Sequence, residues 1–305
     1  MQLVKDFWRC GVATADIQSI ARAGTLDHVP VRWLPNRSPL HYLADPFGLW
    51  RNGCPHVFAE SFSYRTGVGH IEVLVLDAKL AIVDQQAVLR EPWHLSYPFV
   101  FEADGETWML PEAHESGSLW LYRATDFPFG WERARQIVLD HVPLDASLIR
   151  HEGLWWLFYA PADPPEGRLT SLCAAHADRL KGPWQPHPAN PILIDAAGLR
   201  PGGTPVVIEG KVHLPVQRCD GSYGTGLRLL RFDVLTPSRT VTAVASTLAA
   251  PASAAPFTDG CHTLSAAGDV SLIDVKQMRF SAPALATWPE RWLRRRRAHS
   301  GVQFA

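Results

Sequence analysis

The sequence has few cysteines, and they are widely spaced. The five are Cys10, Cys54, Cys173, Cys219 and Cys261, an odd number without a CxxC pair. Disulfide frameworks of small secreted domains are much denser in cysteine, and zinc sites usually show close cysteine pairs. We therefore expect buried free thiols in a reducing compartment.

An excess of charge of one sign is also lacking. The 29 Lys and Arg residues and the 30 Asp and Glu residues give a formal net charge of −1. A nucleic-acid-binding protein normally carries a basic stripe, so we expect no nucleic-acid partner. No apolar run approaches the ~18 residues of a membrane span, and the first residues lack the basic-then-apolar order of a signal peptide. These absences predict a cytoplasmic protein.

Familiar catalytic and cofactor motifs are missing as well. The sequence contains no GxGxxG after a predicted strand, no GxxxxGK[ST], no HExxH and no GxSxG. It also lacks the Asp-x-Asp with which many nucleotide-sugar transferases hold a metal. We therefore expect neither a metal site nor another cofactor.

What the sequence has instead is a repeated strand pattern. The stretch Trp93–Ala124 holds two apolar runs, Tyr97–Phe101 and Thr107–Leu110, separated by a polar turn with Asp-Gly at its centre. Such a turn is the strongest short-range signal of a β-hairpin. A third run, Leu119–Arg123, follows, so the stretch predicts an antiparallel meander.

The same layout occurs five times, at a period of roughly 50 residues. The other copies begin at Asp45, Asp145, Thr204 and Cys261. Four-stranded units repeated at such a period are typical of a β-propeller. The fifth copy is short, and the run Trp8–Ala13 would supply its missing strand. The sequence thus predicts an all-β fold, a five-bladed β-propeller over residues 1–283, closed by an N-terminal strand.

Residues 284–305 form a separate basic and aromatic tail in this prediction. Two tryptophans and a leucine could share an apolar side that is followed by Arg294–Arg297. Aromatic residues beside a basic cluster suit the headgroup region of an anionic membrane. We therefore predict peripheral contact with the inner membrane surface through residues 288–297; the alternative is a solvated tail.

Side chains that head the innermost strands of a propeller converge at the mouth of its central channel. In this chain those positions carry Asp45, Tyr97, Asp145, the segment 202–204 and His262, and we call the mouth that they form the funnel. Glycosyl chemistry needs a carboxylate as base and a protonated acid for the leaving oxygen. We predict Asp45 as the base, with a turn-capping aspartate as the alternative, and Asp145 as a group that orients the sugar or tunes neighbouring pKa values.

Glu112 is the predicted acid. It ends the second strand of its repeat beside Trp108 and Leu110, and apolar neighbours raise the pKa of a carboxyl group. The alternative is a solvated loop glutamate. Polar and aromatic residues near strand starts and inner loops would bind the substrate: His94, Tyr97, Arg200, Gln217, Tyr223 and His262. Of these, Arg200 best suits a phosphate or carboxylate.

Several segments resemble a known family. They are ADPF at 44–47, HLSYPFVF at 94–101, WMLPE at 108–112, DAS at 145–147, WWLF at 155–158 and GPW at 182–184, followed by His187. Together they resemble the N-terminal domain of glucosamine inositolphosphorylceramide transferases and related bacterial proteins, over residues 40–276. More distantly, the pattern is similar to glycoside hydrolase family 43.

The resemblance implies a five-bladed propeller that acts on carbohydrates. In the hydrolase family an Asp on the first blade is the base, which corresponds to Asp45, and an Asp on a later blade tunes pKa values, which corresponds to Asp145. The acid of that family is a Glu on the following blade, where this chain reads Gly202-Gly203-Thr204-Pro205. Either Glu112 replaces that acid, or the chemistry is not hydrolysis.

Three functions stay open at this point. The leading one is glycosyl transfer from a sugar or nucleotide-sugar substrate, in the synthesis of a surface glycan or glycolipid. The alternatives are a glycoside hydrolase with Asp45 as base and Glu112 as acid, and a non-catalytic glycan-binding propeller.

Overall fold

The structure, a computed structural model, describes residues 4–280 of the 305-residue chain. Its first strands are β1 (Val4–Ala13), β2 (Val31–Trp33), β3 (His41–Arg51), β4 (Cys54–Ser63), β5 (Gly69–Leu76), β6 (Ile82–Leu89), β7 (Ser96–Ala103), β8 (Glu106–Glu112), β9 (Leu119–Asp126) and β10 (Gly130–Ile137). They are followed by β11 (Pro143–His151), β12 (Leu154–Pro161), β13 (Ser171–Ala177), β14 (Gln185–Pro186), β15 (Leu193–Ile194), β16 (Val206–Ile208), β17 (Lys211–Arg218), β18 (Gly226–Thr236), β19 (Arg239–Leu248), β20 (Leu264–Ala267) and β21 (Val270–Phe280). Short helices span α1 (Ile17–Ala23) and α2 (Gly167–Thr170).

These strands form five antiparallel sheets, which are the blades of a β-propeller. Strands β3–β6 make blade 1, β7–β10 blade 2, β11–β14 blade 3, with β15 paired to β13, and β16–β19 blade 4. Blade 5 has the order β2-β1-β21-β20. Strand β1 pairs along its whole length with β21, from Val4 opposite Phe280 to Ala13 opposite Ser271. The five-bladed propeller predicted from the repeat is confirmed, and strands from both ends of the described chain meet in blade 5.

Apolar side chains fill the spaces between neighbouring blades. Trp108 and Leu110 of blade 2 are buried in one cluster with Leu148 and Leu157 of blade 3. Full burial of a side chain of this size contributes about 1.5 to 3 kcal/mol. Hydrophobic contact between blades therefore holds the ring and fixes which strand edges face the channel.

The first three blades share a bulge in their innermost strands. In β3, β7 and β11 the pairing register is interrupted across Asp45, Tyr97 and Asp145 respectively. These three residues have positive φ angles of 49°, 46° and 49°, a conformation that is uncommon outside glycine. A bulge re-aims a side chain, and here it turns the same position of three blades toward the centre.

The bulges correct one detail of the sequence prediction. Strand β3 begins at His41, and so Asp45 lies within the strand rather than at its first residue. Asp145 likewise lies inside β11, which begins at Pro143. The periodicity of apolar residues located these strands but could not show where the ladder is interrupted.

The predicted tail at 284–305, with its membrane contact through 288–297, lies outside the described residues. Between residues 4 and 280, no helix combines the length and the apolar character needed to cross a bilayer.

Candidate functional site

Asp45 stands at the meeting point of blades 1, 2 and 5. Its carboxylate accepts hydrogen bonds from the Tyr97 backbone N–H at 3.3 Å and from the Thr263 hydroxyl at 2.9 Å. His262 Nε2 lies 3.5 Å from Asp45 Oδ1. Burial raises the pKa of Asp45 to about 7; His262 acts in the opposite direction, while the charges of Asp145 and Asp274 add to the rise. A general base works best when its pKa lies near the operating pH, so this environment suits the predicted role.

Asp274 holds this meeting point together. Its two carboxylate oxygens accept the backbone N–H groups of Asp45, His262 and Thr263, each at 3.0 Å. His262 Nδ1 lies 2.7 Å from Asp274 Oδ2, and the His262 ring stacks on Trp8 at a centroid distance of 3.7 Å. Burial lowers the pKa of His262, but Asp274 and Asp45 outweigh it, and the net direction is upward. The imidazole is therefore fixed in place between two carboxyl groups.

Asp145 is bound by residues of blade 4. Arg200 donates from Nε and Nη2 to its two oxygens, the latter at 2.8 Å, and Gln217 Nε2 donates to Oδ2 at 2.8 Å. Bidentate Arg–carboxylate pairs are among the stronger ionic contacts in proteins. Asp145 is only 2% exposed, so it sets the position of Arg200 and Gln217 rather than meeting solvent itself.

Gln217 leaves one acceptor unused. Its amide nitrogen is shared between Asp145 and the Pro201 carbonyl, whereas its buried Oε1 has no hydrogen-bond partner among residues 4–280. Tyr223 approaches the same region, with its ring 5.9 Å from the Arg200 guanidinium carbon and 5.4 Å from the His262 ring. The predicted substrate-binding residues Arg200, Gln217, Tyr223 and His262 thus lie together.

Tyr97 has a different place from the one expected. It is fully buried, and its hydroxyl contacts Ser147 Oγ at 2.8 Å and the Gly203 backbone N–H at 2.6 Å. This one hydroxyl group joins blade 2, blade 3 and the segment that leads into β16. Ser147 and Gly203 therefore already occupy the Tyr97 hydroxyl group, which gives Tyr97 a structural role between neighbouring parts of the propeller.

Glu112 does not have the raised pKa that its apolar neighbours predicted. Burial does act in that direction, but His114 N and Nδ1 contact Glu112 Oε1 at 2.7 and 2.6 Å, and together with Arg200 they bring the pKa down to about 2. Ser96 donates to the other oxygen at 3.0 Å. The prediction failed because the turn after β8 brings His114 back onto the carboxylate. Glu112 is a bound anion, which does not suit a general acid.

Gly202 and Gly203 occupy the place where the hydrolase family has its acid, and there is a steric reason for glycine at both positions. A Cβ at Gly203 would lie 1.7 Å from the Leu264 carbonyl oxygen, and one at Gly202 would lie 2.6 Å from the His262 carbonyl oxygen. Backbone hydrogen bonds between this segment and Leu264 of blade 5 require that approach. No side chain, and hence no carboxyl group, fits at either position.

Glu60 is a funnel carboxyl that the sequence analysis missed. It pairs with Ala44 just before the bulge of blade 1, as Glu112 pairs with Ser96 in blade 2. The signal was available, because Glu60 follows Asp45 at the same interval in the chain as Glu112 follows Tyr97. Glu60 is 6% exposed, and His94 Nε2 lies 3.4 Å from Glu60 Oε1.

Asp45, His262 and Asp274 could also offer ligand atoms to a metal ion, since one atom from each lies within 4.8 Å of the others. All three are buried. The oxygens of Asp274 already accept three backbone N–H groups and face the His262 ring. This saturation by protein donors fits a fixed carboxylate better than a cation ligand.

A separate cleft of about 990 Å³ lies between blades 2 and 3. It is lined by Asp104 in the β7–β8 turn and by Arg150 and Trp155 around the β11–β12 turn. These turns are at the opposite ends of the strands from Tyr97 and Asp145. None of the predicted site residues lines this cleft.

Comparison with known proteins decides the family. A profile of the family described as "Glucosamine inositolphosphorylceramide transferase 1, N-terminal" matches residues 34–255. The chain belongs to this family. The resemblance drawn from the sequence motifs is therefore confirmed. The matched range includes Asp45, Glu60, Glu112 and Asp145, whereas His262 and Asp274 lie beyond it.

Plant relatives share part of their length with this family member. Glucosamine inositolphosphorylceramide transferase 1 of Oryza sativa subsp. indica is 36% identical over 203 residues, which cover 65% of this chain and 27% of that protein. The Arabidopsis thaliana protein of the same name is 33% identical over 204 residues, covering 65% and 26%. The chain thus spans about a quarter of the length of these relatives.

Solved structures share the fold. Zg3597, a family 117 glycoside hydrolase from Zobellia galactanivorans, has a TM-score of 0.57 at 14% identity, covering 90% of this chain and 92% of that one. An alpha-L-arabinofuranosidase from Lactobacillus brevis has a TM-score of 0.56 at 14% identity, covering 81% and 87%. This family member therefore has the propeller architecture of those hydrolases.

Proposed function

We propose that the funnel binds a sugar substrate and catalyses glycosyl transfer in the synthesis of a surface glycan or glycolipid. The observation that carries the proposal is the Asp45 carboxyl group, which is buried, held at a strained bulge and shifted to a pKa of about 7. A base with these properties can take the proton of an acceptor hydroxyl as it attacks a glycosyl donor. The names of the plant relatives support a glycolipid acceptor.

Arg200, Gln217 and Tyr223 would bind the substrate beside this base. The Arg200 guanidinium is positioned by Asp145 and suits a phosphate of the donor or acceptor. The free Gln217 Oε1 is an acceptor for a sugar hydroxyl or an intervening water. These groups surround His262 and Asp45, so a bound sugar would lie against the base.

Activity of the Asp45→Asn variant tests this proposal. The donor is nucleotide-activated glucosamine and the acceptor is inositolphosphorylceramide, the chemistry that the names of the relatives indicate. Removal of a general base should lower turnover about a hundredfold or more. Asp269→Asn is the matched control, because Asp269 is exposed in the β20–β21 turn. Equal turnover in the Asp45→Asn variant and the wild type would reject Asp45 as the base.

The two alternatives make different predictions. A hydrolase that uses Glu112 as its acid loses support, because His114 and Ser96 hold that carboxyl as an anion. A binding module predicts sugar binding without turnover in the same assay.

We also retain the proposal of a cytoplasmic protein that contacts an anionic membrane through residues 288–297. Sedimentation with phosphatidylserine vesicles should then be lost on deletion of residues 288–305; unchanged sedimentation would reject it.

A further inference from the structure

Glu60 and Glu112 are equivalent in position and differ in their partners. Each lies on the second strand of its blade, opposite the residue that precedes a bulge. The Glu112 carboxylate accepts from Ser96 Oγ and from two nitrogens of His114. Within residues 4–280, no hydrogen bond of ordinary length reaches the Glu60 carboxyl group. An anion without donors is costly to bury, so the protein supports a charged Glu112 and a neutral Glu60.

His94 is the polar neighbour of Glu60, and its tautomer follows from its contacts. The Gly69 backbone N–H donates to His94 Nδ1 at 2.9 Å. In the neutral ring the proton is then on Nε2, which faces Glu60 Oε1 across 3.4 Å. That separation exceeds the usual N–H···O distance. The His94 Nε2–H is thus close enough to donate a hydrogen bond to the Glu60 carboxylate once Glu60 loses its proton. Before that, the separation of 3.4 Å is too long for a normal hydrogen bond.

Gly69 makes this arrangement sterically feasible. A Cβ at that position would lie 2.8 Å from His94 Cε1, 2.8 Å from the Leu95 carbonyl oxygen and 2.9 Å from Glu60 Oε1. Strand β5 can therefore approach the His94–Glu60 pair only with glycine at its first residue. The side chain of His94 remains 23% exposed, so the pair is not completely closed off from solvent.

The charges around the pair act in the same direction. Burial raises the pKa of Glu60 well above its usual range, and the carboxylates of Asp45, Glu112, Asp145 and Asp274 raise it further. Burial lowers the pKa of His94, although Glu112 and Glu115 act in the opposite direction. Both pKa shifts favour the neutral forms, a carboxylic acid beside an imidazole.

We propose that Glu60 is the proton donor of the funnel and that His94 is its positioning residue. The assignment rests on the proposed glycosyl transfer. As the bond from the anomeric carbon to the leaving oxygen breaks, its electron pair stays on that oxygen, which takes the Glu60 proton. The acceptor oxygen bonds to the anomeric carbon and gives its own proton to Asp45. Glu60 becomes a carboxylate facing the His94 N–H, and atoms and charge balance.

Infrared spectroscopy of the full chain labelled with ¹³C-glutamate tests the protonation state without any substrate. The isotope separates glutamate from Asp45, and exposed glutamates are ionised at pH 7. We expect a glutamic acid C=O band at pH 7 in the wild type and in Glu112→Gln, and its loss in Glu60→Gln. Absence of the band in the wild type, or its persistence in Glu60→Gln, would overturn the assignment. The wild-type spectrum alone can overturn the assignment, so the test does not depend on whether the variants fold.

Measurement of turnover then distinguishes a Glu60 that donates a proton from a Glu60 with a structural role alone. Glu60→Gln should lower kcat about a hundredfold or more and leave KM for the sugar within a few fold. His94→Gln, which keeps an N–H, should retain the infrared band and more activity than His94→Ala. A normal kcat in Glu60→Gln would reject the donor role. If no sugar binds at all, the proposed function fails while the infrared result still stands.

Discussion

Glu60 and Glu112 occupy the same register position in neighbouring blades, yet only Glu112 is surrounded by hydrogen-bond donors. Their pKa values accordingly shift in opposite directions, upward for Glu60 and down to about 2 for Glu112. The same backbone position in two blades thus carries one carboxyl group with a raised pKa and one with a lowered pKa. Pairs of titratable groups whose pKa values are shifted in opposite directions are characteristic of acid–base sites.

The two glutamates should therefore affect stability with opposite dependence on pH. Glu112 has a lowered pKa, so the stability that it contributes is present above its unfolded pKa of about 4.3 and is lost as pH falls toward 2. Glu112→Gln should then cost most at neutral pH, up to about 3 kcal/mol by linkage, and progressively less in acid.

Glu60 should behave in the reverse sense. Its raised pKa gives stability that is present below the unfolded pKa and is lost as pH rises through the folded one. Relative to the wild type, Glu60→Gln should gain free energy of unfolding as pH increases. Urea unfolding between pH 2 and 9 measures both variants, and parallel curves for the two would contradict this account.

The Arg200–Asp145 pair should be worth far more than a surface pair. Its side chains are 16% and 2% exposed, and removal of one partner of a buried pair costs about 3 to 5 kcal/mol. We expect that loss for Arg200→Gln in urea unfolding. Arg123→Gln is the control, since Arg123 and Glu132 are 43% and 49% exposed and such pairs contribute up to about 1 kcal/mol. Equal losses in the two variants would show that Asp145 does not need Arg200.

The blades could be predicted from the sequence because strand length, alternation and Gly-containing turns are local signals. The Asp-Gly turn at residues 104–105 does lie between β7 and β8. The bulges at Asp45 and Asp145 could not be predicted, because a positive φ at a non-glycine residue is imposed by the sheet around it.

The funnel was predictable only in part for a similar reason. Asp45, Asp145 and Arg200 could be found from their place in the repeat. The low pKa of Glu112 depends on the turn that returns His114 to it, and the importance of Asp274 depends on backbone N–H groups from two distant segments. Neither contact leaves a pattern in the sequence. Glu60 did leave one, the interval that it shares with Glu112, but it is visible only when the repeats are aligned.

Ligand-dependent unfolding of the purified protein tests the central claim, that the funnel binds an activated sugar. A ligand at about 100 times its dissociation constant should add about 2.7 kcal/mol to the free energy of unfolding. We predict this gain with one nucleotide sugar from a panel that also contains free oligosaccharides. Stabilisation by free oligosaccharides alone, or by no member of the panel, would contradict the account of this propeller as a glycosyl-transfer domain.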